Sequence, residues 1–322
     1  MGLISTALFK KLQFDTLNAS EQLKILKEWC YTHVSRDINF TGKFCCALYV
    51  QLVKKYLDVF IPLTSIGLHN SKPELDDLTI IQYAAFAGFD RFIESSKISN
   101  NQLNSSNASG MTPLHLAAQL GHVHSVEALL SKGADSTQTN KFLELAAHVA
   151  LTQPSSAQLK ANKEIIFKKL WAINPKIITH QDYEGNTVLH NMAAHGYDEL
   201  LNDVLTVHST GALHFNHHGL YPIHTAILNN QLKCAEYLLS NPGVATLKDA
   251  EYRAPIHYAG LHGNTAMIEL CLKHTPNDVV NSRDTDGKTA YMLATEVENH
   301  EAEEVFTAHG IHLNEQSRIR LI

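Results

Sequence analysis

The chain repeats itself, and no other feature constrains its fold as strongly. Segments opening at Thr79 (TIIQYAAFAG), Thr112 (TPLHLAAQLG), Thr187 (TVLHNMAAHG), Tyr221 (YPIHTAILNN), Ala254 (APIHYAGLHG) and Thr289 (TAYMLATEVE) share one pattern. Thr112 follows Thr79 by 33 residues, Tyr221 follows Thr187 by 34, Ala254 follows by 33 and Thr289 by 35. A unit of this length cannot bury its own apolar face, so stacking of neighbours must supply the core.

The physics of the unit is readable residue by residue. Pro113 and Pro222 stand in the first turn of a short inner helix, where a missing N–H costs nothing and φ is already set. Ala117, Ala118 and their counterparts let that helix pack closely on its neighbours. Gly121, Gly196 and Gly263 fall where it must stop, and a left-handed backbone is expected at all three. An outer helix then carries apolar residues at i, i+3, i+4: Val126, Leu129 and Leu130; Leu201, Val204 and Leu205; Ala235, Leu238 and Leu239; Ile268, Cys271 and Leu272. Asp182, Asn216, Asp249 and Asp284 recur at one position of a linking β-turn. Gly185, Gly219 and Gly287 stand three residues after their Asp or Asn, and Tyr252 departs from that pattern.

This pattern resembles the ankyrin repeat, whose TPLHLAA motif recurs about every 33 residues. Residues 112–135 match closely, and the other units are partial but in phase; the resemblance covers about residues 74–310. It implies an all-α ankyrin-repeat solenoid of about seven repeats over 73–310, an N-terminal helical cap over 1–72 and a C-terminal tail over 311–322. The array is irregular at 139–175. There LELAAHVA arrives early, which reads as a degenerate repeat whose turn is short by about four residues and whose inter-helix loop is lengthened. A local bend or altered groove is expected there.

Residues 1–72 lack the motif. Asn18 with Glu21 reads as a capping box for a helix over LKILKEWCYTHV, and a second helix is predicted over 44–60. This segment is either a cap on the first repeat, which solenoids require, or a separate partner-binding helical module. In the second case the chain is an adaptor or enzyme whose N-terminal segment is active while the repeats select the substrate.

The 20 His demand an account. His115, His190, His224 and His257 occupy the fourth motif position, where the family resemblance implies a structural imidazole bonded to the turns between repeats. Such residues recur about 10 Å apart along packed helices, too far to share a zinc ion bound at about 2 Å. Family geometry assigns other residues to a concave surface and its turn tips. In this chain those positions include Phe86, Leu120, Tyr183, Glu184, His195, His217, His218, Leu220, Leu228, Arg253, Leu261 and His262. Aromatic, aliphatic and His side chains with few Lys fit a protein-binding groove centred on 183–262. His195, His217, His218 and His262 also raise the prospect of a pH-sensitive interface, while no thiolate or carboxylate stands at ligand spacing to make them a metal site.

Composition excludes other classes. A formal net charge of −6 argues against nucleic-acid binding, which needs a cationic surface. No run approaches the 18 or so apolar residues of a membrane span. GxSxG, HExxH, P-loop and dinucleotide motifs are absent, so the chain is read as a non-enzyme that needs no cofactor and no metal. Cys30, Cys45, Cys46, Cys234 and Cys271 are odd in number and form no CxxC pair, which reads as buried thiols in a cytoplasmic, reducing setting. MGLIST matches the myristoylation pattern at Gly2, although one acyl chain with only Lys10 and Lys11 nearby anchors weakly. Glu301, Glu303 and Glu304 before the tail resemble the C-terminal signal of bacterial type IV secretion effectors, which implies a host-protein partner; the plain alternative is a solvated acidic helix face.

Overall fold

The computed structural model describes residues 79–95 and 98–312. The predicted N-terminal cap or module, the Gly2 site, Cys30, Cys45, Cys46 and nearly all of the 311–322 tail lie outside the described residues. The chain divides into two compact units, with the boundary between Lys141 and Phe142. That boundary falls inside the stretch the sequence marks as irregular.

Among the described residues the first unit has two helix pairs: α1 (Ile80–Ala87) with α2 (Asp90–Ser95), and α3 (Pro113–Gln119) with α4 (Val123–Ser131). Thr79 and Thr112 start the inner helices by accepting the N–H of the residue three positions on, and Pro113 occupies the first turn of α3. Gly88 and Gly121 end the inner helices with φ of 73° and 71°. Helix α1 packs on α3 and α2 on α4, burying Ile81, Ala84, Ala85, Ile93, Leu114, Leu116, Ala117, Val126 and Leu129. Each large aliphatic side chain removed from water in this way contributes about 1.5–3 kcal/mol.

The second unit stacks five more pairs. Its inner helices are α5 (Ala146–Ala150), α7 (Val188–His195), α9 (Pro222–Leu228), α11 (Pro255–His262) and α13 (Ala290–Glu296). Its outer helices are α6 (Ala157–Ile173), α8 (Asp198–Val207), α10 (Leu232–Leu239), α12 (Thr265–His274) and α14 (His300–Ala308). Inner packs on inner in the order α7, α9, α11, α13, and outer on outer in the order α8, α10, α12, α14. Met192, Leu201, Val204, Ile223, Ile227, Leu238, Ile256, Ile268 and Phe306 are fully buried along these seams. One-turn segments after the outer helices, such as Pro175–Ile178 and Ser209–Leu213, tuck Ile177, Ile178 and Ala212 beneath the next pair.

Two sequence-based expectations are corrected. Gly263 is extended, at φ −79° and ψ 149°, because it leads into Asn264, whose side chain caps α12 through the N–H of Met267. The left-handed residues at the equivalent turns are Gly196, Asn230 and Glu298. The turn at 139–145 is also not short. Asn140, Leu143 and Leu145 each stand 33 residues after Asn107, Gly110 and Thr112, and Leu143 takes the left-handed φ of 56° that Gly110 takes at 80°. The extra length lies downstream, where Thr187 follows Leu145 by 42 residues. It is absorbed by a connector over 151–156 and by the 17 residues of α6.

That connector is anchored from beneath. Lys163 on α6 is 2% exposed and donates from Nζ to the Thr152 carbonyl at 3.2 Å and to Thr152 Oγ1 at 2.6 Å. Tyr197 Oη donates to the same carbonyl at 2.9 Å. Burial pulls the Lys163 ammonium down to about 8.

Candidate protein-docking surface

A rigid framework stands behind the surface, and the motif histidines build it. The N–H of Thr112, Thr187, Tyr221 and Ala254 donates to Nδ1 of His115, His190, His224 and His257 at 3.3, 3.1, 3.1 and 3.1 Å. Accepting there requires Nδ1 to be bare, so Nε2 carries the proton. From Nε2, His190 donates to the Leu220 carbonyl at 2.9 Å and His257 to the Ser282 carbonyl at 3.1 Å, each in the next linking segment. Burial drives the His190 and His224 pKa down to about 4, which fixes the neutral form these bonds need. His148, fully buried three residues after Leu145, makes the outward half of that bridge and reaches the His180 carbonyl at 3.2 Å. Gln82 makes both halves in the first repeat, accepting from Thr79 N–H at 2.7 Å and donating to the Ser105 carbonyl at 2.9 Å.

The β-turns that link the pairs, here called fingers, share one construction. Oδ1 of Asp182 accepts the N–H of Glu184 and of Asn186, at 2.9 and 2.8 Å. Asn216, Asp249 and Asp284 repeat that pair of bonds two and four residues on, which is why only Asp or Asn serves there. Adjacent fingers are tied backbone to backbone. In the second unit Tyr183 N–H donates to the Phe142 carbonyl at 2.8 Å, His217 to Glu184 at 2.8 Å and Thr285 to Glu251 at 3.0 Å.

Gly185, Gly219 and Gly287 hold the left-handed finger position with φ of 75–80°. At that position Tyr252 takes φ 61° and Leu143 φ 56°, and their side chains are 61% and 48% exposed. A large side chain in this backbone region is disfavoured, and little burial offsets it here.

In the first unit, Phe86 and Leu120 lie half-buried at the ends of inner helices, and the Phe86 carbonyl meets His122 Nε2 at 3.0 Å. The other ten sequence-selected residues lie in the second unit. Tyr183 is 68% exposed, and Glu184, His217, His218 and His262 are exposed with it. Leu228 is 40% exposed at the end of α9, whereas Leu220 and Leu261 are half-buried. His195 meets Gln153 Oε1 at 3.0 Å, and burial, reinforced by the Lys163 charge, lowers its pKa. Arg253 is engaged within the chain: Nη1 pairs with Glu251 at 2.5 Å and Nε with the buried Asp284 at 3.2 Å. Among the described residues no three His, Cys, Asp or Glu side chains converge as a metal site.

Sequence reasoning passed over Phe142, Leu143, Leu213, Phe215 and Tyr252, all exposed. Leu213, Phe215, His214, His217, Gln181 and Ala250 line an open cleft of about 720 Å³ beside the fingers. The repeat count marks Tyr252 as a departure from the finger glycines and could have located Leu143 in the same way, because each stands where sister fingers carry Gly.

Helix pairs, left-handed finger glycines and an imidazole bridge to the next turn, all at one recurring interval, match a known module. The ankyrin-repeat family model matches residues 109–141. The solved ankyrin repeat domain of human ASB11 superposes with a TM-score of 0.57, at 19% identity over 69% of this chain and 96% of that domain. The chain has the ankyrin-repeat fold. Among curated relatives it is 23% identical over 214 residues to a Caenorhabditis elegans homolog of transient receptor potential cation channel subfamily A member 1. It is 31% identical over 123 residues to the human member of that name. These alignments take in 66% and 38% of this ankyrin-repeat chain but only 17% and 11% of the relatives' own length. Among the described residues no helix is long and apolar enough to cross a membrane.

Proposed function

We propose that the chain is a non-catalytic protein-binding scaffold whose partner docks on the finger tips and inner-helix ends of the second unit. One observation carries this reading. Tyr183, Leu228 and Tyr252 present 68%, 40% and 61% of their surface to solvent from a backbone locked by the His and Asp or Asn framework. Exposed aromatic and aliphatic side chains on preorganised backbone have the character of interface anchors, since little ordering entropy remains to be lost on binding. The ankyrin architecture supports the same role. Cys234 and Cys271 are buried free thiols, in keeping with a reducing, cytoplasmic setting. Delivery into a host cell as an effector is a further part of the reading; it rests on Glu301, Glu303 and Glu304, and a translocation reporter fused to the chain tests it.

Affinity capture from cell lysate tests the docking surface by comparing the native chain with Leu228→Glu plus Leu261→Glu. The expected result is loss of specific partners with the helical circular-dichroism signal intact. Capture of the same proteins by both refutes the assignment.

A further inference from the structure

We propose that Tyr183–Glu184 and Glu251–Tyr252, on fingers two repeats apart, are paired receptors for arginine side chains of an extended partner segment. The proposal rests on the docking reading above and narrows it to a partner chemistry. Each site sets an exposed phenol ring next in sequence to an exposed carboxylate, of which one oxygen is already met from within the chain: Glu184 by Asn186 Nδ2 at 3.2 Å and Glu251 by Arg253 Nη1, which leaves the second oxygen of each for a partner. A guanidinium suits that combination better than an ammonium. Its plane stacks on a ring face while its N–H fork reaches a carboxylate.

Charge points the same way. The four fingers from Asp182 to Lys288 carry Asp182, Glu184, Asp249, Glu251, Asp284 and Asp286 against Arg253 and Lys288, with Lys248 at the edge. Arg253 is held by Glu251 and Asp284, and Lys288 by Glu296. Lys248 Nζ already lies 6.0 Å from the Tyr252 ring centroid, so that ring attracts a cation from within the chain.

Backbone geometry supplies a second, independent argument. Tyr252 sits at φ 61° where Gly185, Gly219 and Gly287 sit at 75–80°. The left-handed region disfavours an L side chain by about tenfold or more. With 61% of Tyr252 exposed, packing does not offset that penalty, and a contact made outside the chain does.

The spacing is also readable. Packed helices stand about 8–10 Å apart, so two repeats span about 16–20 Å. An extended segment rises about 3.3 Å per residue and covers that distance in about five or six.

The test pans a phage-displayed library of random dodecapeptides against the full chain. Enriched peptides are expected to carry two arginines about five or six positions apart, with affinity falling on exchange of either for lysine and at high salt. For a synthetic peptide of that consensus, Tyr183→Ala or Tyr252→Ala lowers affinity about two- to fivefold each. Tyr252→Gly lowers it equally while leaving the thermal midpoint unchanged or raised, which a merely structural tyrosine would not do. Selection without paired arginines, or full affinity in Tyr252→Gly, overturns the proposal. If either occurs while lysate capture still depends on Leu228 and Leu261, the docking surface stands and only the arginine receptors fall.

Discussion

Gly185 and Gly287 hold the same finger position with nearly the same backbone, φ 80° and 75°, yet they face different surroundings. A Cβ built at Gly185 lies 2.7 Å from both the backbone N and ring Cδ2 of His217 on the next finger; at Gly287 nothing lies within 4 Å. Alanine at either site meets the left-handed penalty of about 1–2 kcal/mol, reduced by about 0.5–1 kcal/mol for the unfolded-state freedom glycine loses. Gly287→Ala is therefore expected to cost about 1 kcal/mol. Gly185→Ala carries a further 1–3 kcal/mol, roughly, because backbone rather than a flexible chain end must move. It must also strain the bond from His217 N–H to the Glu184 carbonyl, now 2.8 Å. Urea unfolding followed by far-UV circular dichroism measures both losses, and amide exchange reads the His217 N–H directly. Faster exchange at His217 should appear in Gly185→Ala alone. Equal losses from the two variants, with His217 protection unchanged, would show that finger-to-finger contact is not what reserves this position for glycine.

Other consequences are open to measurement. Burial holds His190 and His224 at about 4 in the fold, against 6.5 for a free imidazole. Between those values the unfolded chain binds protons the folded chain cannot. Stability is thus complete above pH 6.5 and falls as pH drops, by about 1.4 kcal/mol per unit for each histidine. His190→Gln, which copies the bonding of Gln82, should remove one histidine's share of that slope; a urea midpoint flat from pH 7.5 to 5 would refute the neutral-imidazole account. Burial also pushes the Cys234 and Cys271 thiols up to about 12. Peptide mapping after brief iodoacetamide treatment should find both unmodified in the folded chain and modified in urea; native labelling of either contradicts the packing described.

The inner helices were legible because Thr, Pro and His at fixed intervals are local devices: a cap, a preset φ and a bridge. Where a repeat keeps the function but changes the device, the motif goes silent. His148 serves the framework behind Leu145 and Ala146, with neither Thr nor Pro to announce it, and only the count of 33 from His115 exposes it. Gly263 misled for the opposite reason. A glycine marks a possible left-handed turn, but the Asn264 cap that follows decides the backbone. The surface was less legible still. Arg253 looks like a free recognition residue until Asp284, 31 positions away, is seen to hold it. Exposure at Tyr252 depends on how fingers line up, which no single repeat encodes.

Three of the bonds that tie one finger to the next use backbone atoms alone, from Tyr183 to Phe142, from His217 to Glu184 and from Thr285 to Glu251. At those three donor residues support and display are uncoupled. A phenol, an imidazole and a hydroxyl occupy the donor residue in turn, and the link is the same each time. Mutation at these positions can change what the surface offers without loosening what holds it.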